Sequence, residues 1–507
     1  MSANYLELLK LAMPETIVVV TALVVLAVDL LFTREEPLRV RFSIGAMISI
    51  FGCIAAGAWM YFGPHANLLA TQTLEELPLL KGMLVVDPLT QFVSIAILVL
   101  AVFTILLSVE SNFTSHVGEY LALILLATVG MLFLVSTEDI LMVFISLELT
   151  SLSLYILTAF NKENIKSTEA ALKYFLFGGM TAAFTLFGLS LIYGLSGSTN
   201  LRDIAVALVS KGLDPLLAVA IVMTVIGFGF KVAAVPFHLW APDAYQGAPI
   251  PSAAFIASGS KVASFFIFAK VMMLGFAGVE GSGAFQHFQQ GWIPTLAILA
   301  IFSTLLGNLV AIAQSSVRRL LAYSAIAHAG YMLLGVMTHS GQGIASLLYY
   351  AITYGLTTIG AFGVVAVVQD RAGDDKISDF AGLSKREPVV SLCMMVFMLS
   401  LAGIPPLAGF FGKFYIFSTA ISVGTNDLGL LWLVIFAIAM SVVSLYYYLK
   451  VLKQIYVVEA PINVTVAKSS WPIRTVLVLL ALAVVVLGCA PDLLIGRLIE
   501  AIRAAGF

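Results

Sequence analysis

Apolar runs of about twenty residues recur along almost the whole chain, separated by short polar stretches. A helix needs about twenty apolar residues to cross the hydrocarbon core of a bilayer, so each run predicts one transmembrane helix. The predicted spans are 14–32, 41–62, 88–109, 117–136, 139–160, 170–195, 215–240, 249–277, 292–313, 319–338, 344–369, 388–421, 428–457 and 471–490. The run over 388–421 is too long for one straight span. The pattern therefore predicts an all-α, polytopic membrane protein with about fourteen transmembrane helices.

The composition supports the same class. Of 507 residues, 61% are hydrophobic and only 11% are charged, which is more apolar sequence than a soluble core needs. The formal net charge of -2 argues against nucleic acid as a partner. Cys53, Cys393 and Cys489 lie in apolar stretches without ligand-like spacing, so we expect packing roles and no metal site. No hydrophilic stretch is long enough for a soluble domain, so the chain is not expected to hold a nucleotide, flavin or iron–sulfur cluster.

Lysine and arginine are distributed unevenly between the two sets of loops. Those in or beside the loops after odd-numbered spans are Arg34, Arg39, Arg41, Lys162, Lys166, Lys173, Arg318, Arg319, Arg371, Lys376, Lys385, Arg386, Lys450, Lys453, Lys468 and Arg474. Those on the other side are Lys10, Lys81, Arg202, Lys211, Arg497 and Arg503. Loops rich in these residues stay in the cytoplasm, so the first set is predicted to be cytoplasmic and both termini to lie outside.

A lysine within the seventh span, Lys231, is followed at once by a helix break. An ionisable side chain at that depth costs roughly 2.5–3.5 kcal/mol on insertion scales. Pro236, five residues on, removes a backbone hydrogen bond. Lipid tolerates neither feature, so both must face protein or trapped water, and together they indicate an ion pathway. His238 is a weaker candidate that would lead from Lys231 towards the cytoplasmic side.

Glu148 lies near the middle of the fifth span, in a run that is otherwise almost wholly apolar. A lone buried carboxylate tends to take up a proton, and a nearby ammonium keeps it ionised. Lys231 is the obvious candidate partner. A structural pair that only holds two helices together is the alternative.

The eighth span carries two lysines. Lys261 lies mid-span between serines, glycine and alanine, which let neighbouring helices approach and let hydroxyls bind water. A buried lysine can exchange its proton near neutral pH, so Lys261 is a strong candidate for proton transfer. Lys270, nine residues on and nearer the outer end, is a weaker candidate, because it could simply extend to the membrane interface.

The twelfth span repeats the arrangement of the seventh. The stretch 401–413 contains Pro405 and Pro406, three glycines and then Lys413. Broken helices at corresponding places in two halves are typical of transport sites, and here the two broken helices are five spans apart. We therefore predict two five-helix repeats of inverted topology, with discontinuous helices 7 and 12. The predicted units are 1–116 (helices 1–3), 117–277 (first repeat), 292–457 (second repeat) and 471–507 (helix 14).

His328 lies on the tenth span, the counterpart of the span that bears Glu148. Histidine titrates near physiological pH and suits a relay between Lys261 and Lys413, although a hydrogen-bonded packing role is the alternative. A group of tyrosines, Tyr349, Tyr350 and Tyr354, could order water, but packing is the simpler interpretation. The other charged residues near span ends, Lys173, Asp29 and Asp139, are interpreted as interface residues.

With these residues in hand, the chain resembles a known family. The stretch 231–254, which begins Lys-Val-Ala-Ala-Val-Pro-Phe-His and ends Pro-Ile-Pro-Ser-Ala-Ala, is similar to the signature of the antiporter-like membrane subunits of proton-pumping NADH–quinone oxidoreductase, respiratory complex I. The stretches 147–155 and 322–331 are most similar to the N branch. Lys413 disfavours the M branch, which has glutamate there, and the chain stops too soon for the L branch. Subunits of multisubunit cation/proton antiporters share the core and are the alternative.

The resemblance implies a coupling pair, Glu148 and Lys231, and a proton path through Lys261, His328 and Lys413. It implies the lipid bilayer and other membrane subunits of the complex as partners, in a bacterial inner membrane with both termini periplasmic. NADH, FMN, iron–sulfur clusters and quinone are expected in other subunits, and none in this chain. Protons are the only small substrate that the resemblance implies.

Overall fold

The computed structural model describes residues 9–63, 82–209, 212–285, 287–422, 429–459 and 469–506. Within these ranges, thirteen helices are long and apolar enough to cross a membrane. The predicted class, a polytopic helical membrane protein, is confirmed. The twelfth predicted span, 388–421, is divided between two shorter helices. Lys81, Lys211 and Lys468, which entered the prediction of orientation, lie outside the described residues.

The first three long helices are α1 (Met13–Val28, continued by a π-helical turn over Asp29–Thr33), α2 (Leu38–Phe62) and α3 (Pro88–Ser108). Asp29 connects helices of this group and is only 4% exposed. Arg41 of α2 binds both of its oxygens, with Nε to Oδ1 at 2.8 Å and Nη2 to Oδ2 at 2.6 Å. The carboxylate is therefore buried within the protein with a bidentate partner, and its position at the membrane interface stays a prediction.

The next group covers the predicted first repeat. Its helices are α4 (Val117–Val135), α5 (Ile140–Thr158), α6 (Ile165–Ser196), α7 (Leu201–Val209), α8 (Pro215–Val232), α9 (Trp240–Gly247), α10 (Ile250–Ala257) and α11 (Gly259–Lys270, continued by a π-helical turn over Val271–Gly275). Asp139, also expected at an interface, is buried and caps α5, accepting hydrogen bonds from the backbone N–H groups of Leu141 and Met142.

The last group begins with a small hairpin, β1 (Ser282–Gly283) paired antiparallel with β2 (Phe288–Gln289). The helices that follow are α12 (Trp292–Ile312), α13 (Val317–Met337), α14 (Gly341–Ala372), α15 (Leu383–Arg386), α16 (Pro388–Ala402), α17 (Ala408–Ser422), α18 (Leu431–Tyr456), α19 (Trp471–Cys489) and α20 (Asp492–Ala504). A short 3-10 turn over Ile377–Phe380 precedes α15.

The centre of the bundle is formed by α10, α11, α13 and α14. In the most apolar stretch of each helix, every residue of α10–α11 is buried, as are 94% in α13 and in α14, against 33% in α6. The long helix α14 packs against the other three and also against α17 and α19. The ionisable side chains at mid-depth on these central helices, Lys261 and His328, are therefore surrounded by protein rather than lipid.

Two helices are broken in the same way. At the end of α8, Ala233 has a left-handed φ of 60°, and the N–H groups of Ala233 and Ala234 bond to the carbonyls of Phe230 and Gly229. At the end of α16, Gly403 has φ 86°, and the N–H groups of Gly403 and Ile404 bond to the carbonyls of Ser400 and Leu399. The predicted breaks in helices 7 and 12 are thus present, with one hydrogen-bond pattern. The inverted relation of the two repeats stays a prediction.

A third break was not predicted. The span 249–277 was expected to be one helix, but α10 ends at Ala257 and α11 begins at Gly259. Ser258 between them has φ -117° and ψ -84°, outside the helical region. Lys261 lies two residues after Gly259, in the first turn of α11. The small Ser-Gly-Ser sequence, interpreted as allowing close helix packing, also allows the backbone to leave the helix.

The loops after the odd-numbered predicted spans meet at one end of the bundle, which we call the basic end. A cavity of about 960 Å³ is found there, and Arg39, Lys166, Arg318 and Arg371 contribute to its lining. Acidic residues, among them Glu110 and three aspartates of the 370–375 stretch, line it too. The basic end is therefore a mixed polar surface rather than a uniformly positive one.

Candidate functional site

Lys231 lies in the last turn of α8, where the helix stops before Ala233. Its ammonium donates a hydrogen bond to Ser151 Oγ on α5. The Nζ atom is also 5.9 Å from the centre of the Tyr155 ring and 5.6 Å from that of Phe230. The ammonium is therefore held by one hydroxyl and two aromatic faces.

Glu148 is close to this group but does not contact Lys231. No ion pair joins these two residues, both of which the structure describes, and Glu148 Oε1 has no hydrogen-bond partner there. Ser151, three residues further along α5, faces the same side of the helix and takes the position next to the ammonium. The expected direct Glu148–Lys231 contact was wrong in this structure, and the two charges interact through space across Ser151.

The surroundings of Glu148 are partly open. Its side chain is half-buried, and it stands beside an apolar stripe of α5 whose members are each about half exposed. The stripe consists of Leu141, Ile145, Leu152 and Ile156. The carboxylate thus lies where the interior of the chain meets its outer face.

Lys261 is 2% exposed and lies between α11, α13 and α14. Its ammonium donates a 2.6 Å hydrogen bond to the backbone carbonyl of Ala325, and it lies 5.5 Å from the centre of the Tyr354 ring. A carbonyl oxygen and an aromatic face both favour a cation, and neither supplies a counter-charge.

His328 has a hydroxyl on each side of its ring. Nδ1 lies 2.7 Å from the Tyr350 hydroxyl on α14, and Nε2 lies 3.0 Å from the Tyr448 hydroxyl on α18. The ring centre is 4.9 Å from that of Tyr354 and 5.8 Å from that of Tyr331. Both nitrogens of this buried imidazole are therefore satisfied by groups that can donate or accept.

Lys413 reaches back across the break in its own span. Its ammonium donates to the carbonyls of Leu401 at 3.1 Å and Ala402 at 2.9 Å, and to Ser441 Oγ at 2.8 Å. These carbonyls end α16, so they have no partner within that helix and carry the negative end of its dipole. Lys413 Nζ is also 5.4 Å from the centre of the Tyr331 ring.

These contacts assemble what we call the central file: Lys261, Tyr354, His328, Tyr331 and Lys413, in that order. A tyrosine ring lies between each lysine and the histidine. The structure thus brings together three of the five main candidates, Lys261, His328 and Lys413, although the first and the last are more than 150 residues apart in the sequence. Glu148 and Lys231 form a second group, between α5 and α8.

His238 follows the break after α8 and is 6% exposed. Its Nδ1 has no hydrogen-bond partner among the described residues. Further on, Asp243 of α9 accepts from Lys173 at 2.8 Å and from Arg319 at 2.7 Å, so Lys173 bridges two helices of the chain. Burial acts to raise the pKa of Asp243, but the hydrogen bonds from Lys173 and Arg319 hold it below its ordinary value.

Lys270 does not extend to the membrane interface. It is 1% exposed, and its Nζ lies 3.4 Å from Glu138 Oε1, while Arg202 Nε binds the other oxygen at 2.9 Å. The expected extension of Lys270 to the interface was wrong because the buried Glu138, between α4 and α5, supplies an anion inside the protein. Burial acts to raise the pKa of Glu138, but the charges of Lys270 and Arg202 lower it overall. Lys270 lies away from the central file.

Several tyrosine and serine hydroxyls around these lysines and the histidine were not expected to belong to the site. Tyr350 and Tyr354 were weighed as packing residues, yet Tyr350 binds His328 and Tyr354 lies between Lys261 and His328. Tyr448 and Ser151 were not singled out as candidates. A run of three tyrosines at 446–448 and a serine one turn after Glu148 were the available signals. Tyr349, by contrast, donates to the Leu487 carbonyl at 2.7 Å, as a packing residue would.

Metal-ligating residues are dispersed in the part of the chain that the structure describes. No group of three or more His, Cys, Asp or Glu side chains there is close enough to hold a metal ion. Cys53 and Cys393 are buried free thiols, and Cys489 is an exposed one.

Comparison with known proteins gives consistent results. A family model described as NADH:quinone oxidoreductase/Mrp antiporter, TM, matches residues 137–443. The NADH-quinone oxidoreductase subunit N 2 of Acidobacterium capsulatum is 51% identical over 500 residues, which are 97% of this chain and 98% of that protein.

Solved structures agree on the fold. A chain of respiratory complex I from Thermus thermophilus is similar with a TM-score of 0.75 and 31% identity, covering 96% of this chain and 99% of that one. A chain of the Mrp complex from Dietzia sp. has a TM-score of 0.80 over 97% of both chains, at 19% identity. The second likeness concerns the fold alone.

Proposed function

The chain belongs to the family of NADH:quinone oxidoreductase and Mrp antiporter membrane subunits, and on this premise we propose that its central file and its Glu148–Lys231 group carry protons. It is a membrane subunit of a proton-translocating NADH–quinone oxidoreductase. Electron transfer from NADH to quinone takes place in other subunits, which hold the FMN and the iron–sulfur clusters. This chain uses the energy of that reaction to move protons.

The observation that carries this proposal is the central file. Two lysines and a histidine are buried within the bundle, where each is at most 5% exposed. Each charge in such a place costs several kcal/mol of insertion energy, roughly 2.5–3.5 kcal/mol on lenient scales. Lys261 and Lys413 have no carboxylate partner among the described residues, since carbonyls and hydroxyls are their hydrogen-bond acceptors. Groups of this kind are kept because they bind and release protons.

The Glu148–Lys231 group supplies the coupling. Two charges 4 Å apart interact by roughly 4 kcal/mol in an effective dielectric near 20. When Glu148 moves away or is protonated, Lys231 loses the nearest anion and releases its proton more readily towards Lys261. Ser151 holds the ammonium while the carboxylate moves, so the two can separate without leaving Lys231 without a hydrogen bond.

Protons are taken up at the basic end, which is the cytoplasmic side in this proposal. His238, with its free Nδ1, and the Asp243–Lys173 pair lie between Lys231 and that end. Lys413 is the last group before release on the other side. The chain works in a bacterial inner membrane with both termini on the periplasmic side, surrounded by lipid and by other membrane subunits of the complex.

A structural scaffold and an independent cation/proton antiporter are the other candidates. A scaffold gains nothing from several titratable groups at mid-depth, each with an insertion cost. Sodium prefers a crowd of oxygen ligands, and the central file offers cations and rings instead. The relatives over nearly the full length of the chain are named as NADH-quinone oxidoreductase subunits N, which favours the role of a proton-translocating subunit of that complex.

The test uses the whole complex in proteoliposomes. Lys231→Ala and Glu148→Ala are expected to reduce proton pumping and coupled quinone reduction strongly, while the complex still assembles on a native gel. Lys162→Ala, at an exposed loop position, is the matched control and is expected to pump normally. Normal pumping by either of the first two variants would reject the coupling role, and sodium-dependent transport by the chain alone would favour the antiporter.

A further inference from the structure

A continuous chain of hydrogen bonds passes through His328. It runs from Ser324 Oγ on α13 to the Tyr448 hydroxyl on α18, then to Nε2 of His328, and from Nδ1 to the Tyr350 hydroxyl on α14. All four side chains are at most 2% exposed. The chain involves three different helices, so it depends on their packing and not on any local sequence motif.

Ser324 differs from most of the helical hydroxyls of this protein. Thr104, Thr128 and Thr150, for example, each donate to the backbone carbonyl four residues earlier, the common arrangement for these residues in helices. The hydroxyl of Ser324 is bonded to Tyr448 instead. Its proton is therefore available to the side-chain network rather than used by its own helix.

The hydrogen bonds of this series can all point in either of two directions, and the passage of one proton reverses them. A neutral imidazole has one donor and one acceptor nitrogen, and each hydroxyl can both donate and accept. In one direction, Ser324 donates to Tyr448, Tyr448 donates to Nε2, and Nδ1–H donates to Tyr350. When a proton enters at Ser324 and another leaves at Tyr350, every bond reverses its direction. His328 takes up one proton and gives up one, so it carries no net charge afterwards.

The two ends of the chain point to different places. Ser324 is seven residues from the first residue of α13, about 10 Å from the basic end at 1.5 Å per residue. At the other end, the Tyr350 ring packs against Gly412, the residue before Lys413. The chain therefore leads from the basic end of the second repeat towards the position of Lys413.

We propose that Ser324, Tyr448 and Tyr350 form a proton relay through His328, which leads from the basic end to Lys413 by a route that does not pass through Lys231 or Glu148. This inference rests on the proposed function, because it assumes that His328 and Lys413 move protons. The inference adds a second proton inlet to the protein and assigns the hydroxyls of Ser324, Tyr448 and Tyr350 to that inlet.

The test removes hydroxyls one at a time from the assembled complex. Tyr448→Phe keeps the ring and is expected to lower proton pumping per NADH oxidised about tenfold, which equals roughly 1.4 kcal/mol on the barrier. Tyr350→Phe is expected to lower pumping by a similar factor, and Ser324→Ala is also expected to lower it. The matched control is Tyr120→Phe, because Tyr120 is equally buried and its hydroxyl binds a serine, Ser252, at 3.1 Å, with no titratable group attached. The control is expected to pump normally.

A double variant separates a relay from a packing effect. Removal of two members of one path costs no more than removal of one, so Tyr448→Phe with Ser324→Ala is expected to match Tyr448→Phe alone. Additive losses, or an equal loss in Tyr120→Phe, would overturn the relay. If Tyr448→Phe does not assemble, Ser324→Ala decides the matter alone, and normal pumping by it overturns the relay.

The same experiment distinguishes the inference from the proposed function. His328→Ala is expected to abolish pumping under both. If His328→Ala is defective while Tyr448→Phe and Ser324→Ala pump normally, only the relay is lost. If His328→Ala pumps normally, the role of the central file itself is rejected.

Discussion

Lys413 donates a 3.1 Å hydrogen bond to the carbonyl oxygen of Leu401, across the break between α16 and α17. When the breaks at Ala233 and Gly403 are aligned by their hydrogen bonds, Leu401 takes the place of Lys231. The two lysines are therefore related through this backbone position. Lys231 occupies it in the helix that ends at the break, whereas Lys413 belongs to the helix after the break and its ammonium reaches back to it.

Gly403→Ala is expected to weaken proton pumping and to lower stability by about 1–2 kcal/mol, the cost of a left-handed conformation for a residue with a Cβ. The added Cβ would lie 3.0 Å from Lys413 Cδ and 3.2 Å from its Nζ, so the lysine side chain must shift and its hydrogen bonds to the α16 carbonyls are weakened. Ala233→Gly is the control, since it relieves the same conformation at the other break. Pumping assays with thermal melting of the complex measure both, and unchanged pumping in Gly403→Ala would contradict the role of this contact.

Gly412→Ala is expected to reduce pumping with little loss of assembly. Its Cβ would lie 2.6 Å from Cδ2 of Tyr350, so the ring must move and its hydroxyl leave His328. Gly179→Ala is the matched control, because a Cβ there has no atom within 4 Å. Within a helix the control gains up to about 1 kcal/mol of stability. Equal pumping by the two variants would show that the position of Tyr350 is unimportant.

Ser151→Ala is expected to reduce pumping several-fold, because a hydrogen bond to a charged group contributes about 1.5–3 kcal/mol. The ammonium of Lys231 would then have only aromatic faces and the more distant Glu148. Ser153→Ala is the control, since the hydroxyl of Ser153 is equally buried and donates to the carbonyl of Leu149.

Glu148→Asp extends the same test. Glu148 acts on Lys231 through space, so a shorter carboxylate is expected to be partly tolerated. The initial rate of proton uptake by inverted vesicles distinguishes these cases. A complete loss in Glu148→Asp would indicate that a direct contact forms during turnover.

Glu138→Gln is expected to destabilise the complex by about 3–5 kcal/mol, because it leaves Lys270 buried without an anion. The double variant Glu138→Gln with Lys270→Met is expected to regain much of this loss. Glu119→Gln, at an exposed surface pair with His116, is the control and should stay within about 0.5 kcal/mol. The melting temperature of the purified complex measures all three, and no change in Glu138→Gln would reject the pair.

The same pair predicts the direction of a pH effect. The folded-state pKa of Glu138 lies below its ordinary value, because Lys270 and Arg202 outweigh the effect of burial. Its contribution to stability is therefore fully present above the ordinary glutamate pKa and is lost as the pH falls through the folded-state value. Wild type is expected to lose melting temperature on acidification more steeply than Glu138→Gln. Parallel pH curves for the two proteins would contradict this.

Much of the architecture followed from the order of residues alone. Long apolar runs must become helices in a bilayer, because no water is present there to satisfy an open backbone. The breaks at Ala233 and Gly403 were predictable from prolines and glycines next to lysines. The break at Ser258 was not, because Ser-Gly-Ser is equally compatible with a continuous helix and only the backbone of the folded chain shows which of the two forms.

Partners across helices could not be read in this way. Glu148 and Lys231 were predicted to be in contact but are separated by Ser151. Lys270, in contrast, forms an ion pair with Glu138 that was not predicted. His328 was a candidate from its type and depth, but Tyr350 and Tyr448, 22 and 120 residues away, gave it two hydroxyls. The sequence by itself determined which groups would lie inside the membrane and roughly how deep, because insertion energy depends on residue type and on position along a helix. Only the tertiary structure decided which of them touch, because hydrogen bonds and charge interactions depend on distances of a few ångströms between helices that are remote in the chain.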